Sequence, residues 1–145
     1  MKDQNIHTEL LNEIYQTSST AHQAIDNLEI KMKDEEFKRN VKKHRKEYKQ
    51  ISDDSIQIFI SYGKDEKEVP AIAKLACNIM NMFKTIKDDR TANIAKILTE
   101  EGNRGLLNLR EKLNKYNNED KEIVKLAEKL IETMEENLTD LKEHL

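Results

Sequence analysis

The sequence predicts an all-α protein, and three observations carry that prediction. Apolar residues recur every three or four positions along almost the whole chain, the spacing of one buried helix face. Three glycines and one proline among 145 residues supply too few turns for a sheet protein. Charged residues equal hydrophobic ones at 37% each, and the commonest residues are mostly good or tolerable helix formers, as in helices with solvated outer faces. The length suits a single domain spanning residues 1–145.

Five helices follow from the spacing and from end signals. The first runs from about Asn5 to Met32, with Leu10, Ile14, Ser18, Ala21, Ile25, Leu28 and Met32 on one face. Lys33-Asp34 breaks it, and Asp34 is a suitable N-cap for the second helix. That helix steps through Phe37, Val41, His44, Tyr48, Ile51, Ser55, Ile58 and Tyr62, and Gly63 suits the left-handed position that closes a helix. The third is expected over Glu66–Ile86, with Asp65 and Glu68 at capping-box spacing and Pro70 early enough to be tolerated. Lys87–Arg90 turns the chain into a fourth helix carrying Ile94, Leu98, Gly102, Gly105, Leu106, Leu109, Leu113 and Tyr116. Asn117–Asp120 supplies another turn with N-cap residues before a fifth, with Ile123, Ala127, Leu130, Met134, Leu138, Leu141 and Leu145.

The first, second, fourth and fifth helices are each expected to be roughly 40 Å long, at 1.5 Å of rise per residue. Matched lengths and short connections favour antiparallel neighbours, with the shorter third helix as the crossover between two hairpins. In this order of elements, and in the segments Leu10–Leu28, Glu100–Leu113 and Leu126–Leu145, the chain resembles the ferritin-like superfamily, and within it a bacterial branch of domains of unknown function. The resemblance implies a ferritin-like bundle of four long helices with an additional helical crossover. It does not bring the di-iron site with it. That site draws a Glu from each of two helices and a Glu-x-x-His pair from each of two others. No Glu-x-x-His occurs here: Ser19 stands three residues before His22 and Leu141 three before His144, while His44 precedes Glu47. Oxidase and iron-storage chemistry are therefore not expected.

Other chemistry is excluded in the same way. Four histidines are too few for a hemerythrin-type site, and metalloprotease, P-loop and dinucleotide signatures are missing. One cysteine, Cys77, allows no internal disulfide and no cysteine-only zinc site, and it reads as a small hydrophobe. A net charge of −3 is too mild to imply nucleic acid or an anionic membrane as partner. No apolar run approaches a membrane span, and Met1–Thr8 is too polar for a signal peptide, so a cytoplasmic protein is expected. The basic run of the second helix, Lys38 to Lys49, and the acidic residues of the fifth are read as solvated faces whose pairing helps to set the topology.

Three features bear on function. His44 lies on the apolar seam of the second helix and His22 beside that of the first. A hairpin turning at Lys33 would put both at one level, with Glu101 of the fourth helix near it. Two imidazoles and a carboxylate suit a divalent metal or a cluster titrating near neutral pH. The competing and favoured reading is a buried histidine satisfied by Ser18, Tyr48 or a carboxylate. Gly102 and Gly105 each cost about 1 kcal/mol in a helix interior relative to alanine. Close approach of another helix, expected to be the third, offsets that better than room for a ligand. Finally, the segment 71–86 is apolar nearly all round, so Met80, Met82 and Phe83 suggest a subunit interface. The expectation is a non-catalytic interaction or structural module acting as a homodimer, with an unidentified protein partner and no cofactor. The alternative is a metal-binding or metal-sensing bundle using His22, His44 and Glu101.

Overall fold

The computed structural model describes residues 2–64, 86–116 and 120–145, the first seven of these as backbone only. They form four α-helices, α1 (Lys2–Glu29), α2 (Glu35–Ser61), α3 (Thr91–Tyr116) and α4 (Lys121–Lys142). The last two are the fourth and fifth of the predicted helices. The third lies outside the described residues except at Ile86, which is not helical. Met80, Met82, Phe83 and Cys77, and with them the expected interface, also fall outside.

The capping chemistry read from the sequence is in place. Asp34 is the N-cap of α2, and its carboxylate accepts the Phe37 N–H at 2.9 Å. Gly63 has φ 79°, with its N–H on the Ile60 carbonyl and the Lys64 N–H on that of Phe59, the paired bonds of a Schellman ending. Asp120 caps α4 by accepting from the N–H groups of Glu122 and Ile123. The first helix ends at Glu29, earlier than the expected Met32. The Lys31 and Met32 N–H groups turn back to the carbonyls of Leu28 and Glu29, three residues away, and this tightening stops the helix while leaving Met32 buried.

Side-chain pairs fix the directions. Arg45 with Asp26, Lys42 with Glu29 and Ser52 with Ser19 run α1 and α2 antiparallel in a single register. Gly105 beside Thr17, Lys112 near Glu9 and Lys33 with Asp89 set α3 antiparallel to α1. Leu138 packs on Gly102, and Phe37 meets His144 while His44 meets Asp140, so α4 opposes both α3 and α2. The order is up, down, down, up. The described part of α2 thus ends at the opposite end of the bundle from the start of α3.

Phe37, Leu10, Leu11, Ile14, Leu28, Ile51, Ile94, Leu109, Ile123 and Leu130 are all fully buried, and they draw on all four helices in one core. Ion pairs depart from expectation. The basic run of α2 pairs with α1, through Lys42–Glu29 and Arg45–Asp26, whereas Glu135 of α4 pairs with Arg110 of α3. Lys49 of the same run pairs with Asp53 of its own helix; towards α4 the second helix presents His44, bonded to Asp140. Among the described residues no helix is long and apolar enough to cross a membrane.

Candidate functional site

The four helices do not close completely. A half-enclosed cavity of about 400 Å³ lies among them, walled chiefly by α1 and α3 and floored by α4, with His44 and Tyr48 reaching in from α2. Its presence follows from small residues at facing positions. Ala21 and Ala24 of α1 and Gly102 and Gly105 of α3 leave the space that larger side chains would fill. Its mouth carries polar groups, including Glu13, Gln16 and Thr20 from α1 and Glu101, Arg104 and Asn108 from α3. Ile25, Leu98 and Leu141 make the inner end apolar. A second depression, between the far ends of α2 and α4, is shallower, open to solvent and flanked by Asp54, Glu122, Lys125 and Lys129.

The glycines serve packing: among the described residues α4 and α1 approach them, while the third helix, expected to do so, lies outside the described residues. A Cβ on Gly102 would stand 2.8 Å from Leu138 Cδ2 of α4. One on Gly105 would meet Thr17 Cγ2 of α1 at 3.2 Å and Met134 Cε of α4 at 3.3 Å. The two residues therefore let α1 and α4 close on α3, and they also border the cavity. Close packing and space for a ligand, weighed as alternatives from the sequence, occur at the same place.

The three residues considered for a metal are divided. His44 and Glu101 face the same cavity, but His22 does not line it. The interhelical register explains this. Arg45 opposite Asp26 and Lys42 opposite Glu29 set His22 level with Lys49, about five residues from the level of His44. The connection from Ile30 to Asp34 shifts the hairpin's centre past Lys33, and the assumed alignment is lost. His22 instead lies 3.7 Å from Asp26 of its own helix, with no hydrogen bond to Nδ1. Glu101 is held by Arg104 at 2.9 Å. Among the described residues no three histidine, cysteine or acidic side chains are grouped to hold a metal ion.

His44 is buried at 2% exposure, and its Nε2–H donates to Asp140 Oδ2 at 3.1 Å. One turn on, Tyr48 lies beside Asn137, and burial pushes the phenol up to about 12, so it stays protonated. These residues form a polar seam between α2 and α4; of the partners expected for a buried histidine, Ser18, Tyr48 or a carboxylate, His44 has a carboxylate, that of Asp140. Burial holds the His44 imidazole below its ordinary value of 6.5, opposed by the hydrogen bond and charge of Asp140. His22 is lowered too, by burial, with Asp26 opposing.

A histidine that resists protonation in the fold but accepts it when unfolded favours unfolding in acid. Stability is thus expected to fall as pH drops through 6.5, the unfolded value, and to go on falling until the depressed folded values are reached. His44→Leu should remove part of that slope and be at least as stable as the parent at about pH 7.5. Urea melts across this range test it. An unchanged slope in the variant would show that His44 does not contribute.

Compared with protein-family models, curated proteins and solved structures, the chain finds no match in any of the three.

Proposed function

We propose that the chain is a binding protein rather than a catalyst: a ferritin-like bundle that holds a small, largely apolar molecule between its helices. The observation that carries this reading is the cavity beside Gly102 and Gly105. Its volume of about 400 Å³ falls within the roughly 300–1,000 Å³ of small-molecule sites. It also has their usual makeup, an apolar interior with a few polar groups near the entrance. The ferritin-like assignment is supported by the up, down, down, up order with one long connection. A binding role fits the polar groups that reach the interior. Tyr48 stays a phenol and His44 is engaged by Asp140, so both suit orienting a ligand more than moving its protons.

A cavity that binds must lose binding when it is filled. Ala21 lines the space from α1 and is only partly buried. Ala21→Phe directs a ring into the cavity and is expected to abolish uptake of a medium-chain alcohol such as decanol, which binds the parent. Calorimetric titration checks both proteins, and a thermal melt of the variant shows that it is folded. Absence of decanol binding to the parent, or undiminished binding to the folded variant, would overturn the reading.

A further inference from the structure

The polar groups at the cavity's mouth are unequal in what they leave unsatisfied. Glu101 is neutralised by Arg104. The amide and hydroxyl groups of Gln16, Thr20 and Asn108 are uncharged and adapt to either sense of hydrogen bond. Glu13 differs from all of these. It is half-buried on α1, lines the cavity and accepts no hydrogen bond among the described residues. Among the described residues the cation that acts on it is Lys112 of α3, which also lies 3.9 Å from Glu9. Of the charges around this mouth among the described residues, Glu9, Glu13 and Glu101 thus face Arg104 and Lys112, leaving one carboxylate in excess. Burial pushes the Glu13 carboxyl above its usual range, with Lys112 opposing, as expected for an acid desolvated without a full partner.

From Glu13 to Ile25 the α1 wall spans twelve residues, about 18 Å of helix. The slot therefore has a carboxylate near one end, and Ala24, Leu98 and Leu141 near the other. We infer that the ligand is an amphipathic amine, its apolar body lying between α1, α3 and α4 and its cationic nitrogen held by Glu13. This inference rests on the binding role proposed above and adds the ligand's charge. An ammonium group donates up to three hydrogen bonds and supplies the charge Glu13 lacks. A carboxylate-headed ligand would meet a repelling carboxylate, since the one guanidinium at the mouth is already engaged. An alcohol would gain the apolar contacts and a neutral hydrogen bond, without the charge.

Decylammonium, decanol and decanoate, titrated below their micelle-forming concentrations, share one tail and differ only in the head. The parent is expected to bind decylammonium about tenfold more tightly than decanol, and decanoate most weakly. Glu13→Gln keeps the side chain's shape and should bring decylammonium down to the level of decanol while leaving decanol unchanged. A thermal melt checks that the variant is folded. Equal binding of amine and alcohol by the parent, or an amine preference that survives Glu13→Gln, would overturn the inference while leaving the cavity's role intact. Failure of all three probes to bind would instead remove the binding role itself.

Discussion

Replacing Phe37 with alanine is expected to destabilise the protein by about 3–5 kcal/mol, the cost of deleting a buried aromatic ring from a packed core. Phe37 has no exposed surface. It sits in the first turn of α2, where its N–H is held by the Asp34 cap, and its ring meets His144 edge-on with centroids 4.9 Å apart. Cap, ring and the residues following α4 therefore meet at one end of the bundle. The Asn40 amide, which donates to His144 Nε2 at 3.1 Å, leaves that end little freedom to collapse into the gap. A thermal midpoint lower by roughly 10–15 °C follows for a domain of this size. Differential scanning calorimetry of the variant measures it. A change of only a degree or two would mean that the ring is not part of the core.

Gly102→Val is expected to be less stable than Gly102→Ala by about 2 kcal/mol, since overpacking costs roughly 1–3 kcal/mol. Alanine places one methyl against Leu138 Cδ2, where a Cβ would stand at 2.8 Å. That contact is the end of a flexible side chain, and Leu138 borders the cavity, so its methyl has somewhere to go. The gain of about 1 kcal/mol in helix propensity then roughly offsets the shift, and the alanine variant should lie near the parent. Valine adds two branches with one preferred rotamer in a helix, and Leu138 cannot escape both. Urea unfolding of the two variants gives the difference. A valine variant as stable as the alanine one would show that α4 does not approach α3 here.

Gly102 also shows how far the sequence could be read. An interior glycine on an otherwise regular helix face announces a close approach, because its cost needs an offset. Which helix approaches is a matter of tertiary packing: among the described residues it is α4, with α1 at Gly105. The histidines make the same point. The periodicity placed His44 on a buried face, and it is buried. Whether His22 stands level with it depended on the register of the α1–α2 hairpin, which is set by pairs such as Arg45–Asp26 and Ser52–Ser19. No feature local to His22 reports that register.

The cavity was the least legible feature. Its walls come from alanines, threonines and glycines on two helices more than seventy residues apart in sequence, Ala21 and Gly102 among them. The glycines stand out in their own helix and the alanines and threonines do not, and only their apposition leaves space. Glu13 was likewise one more acid on a charged helix until the fold turned it towards that space.

Local interactions determined what the sequence alone could show: where four described helices lie, which face each buries, and how Asp34, Gly63 and Asp120 begin or end them. These depend on contacts within a few residues, so their signals stand side by side in the chain. The tertiary structure decided the partners, namely α1 for the basic run of α2, α4 for Gly102 and Asp140 for His44. Such contacts join residues from 13 to 96 positions apart, and the order of the chain does not encode the distances between them.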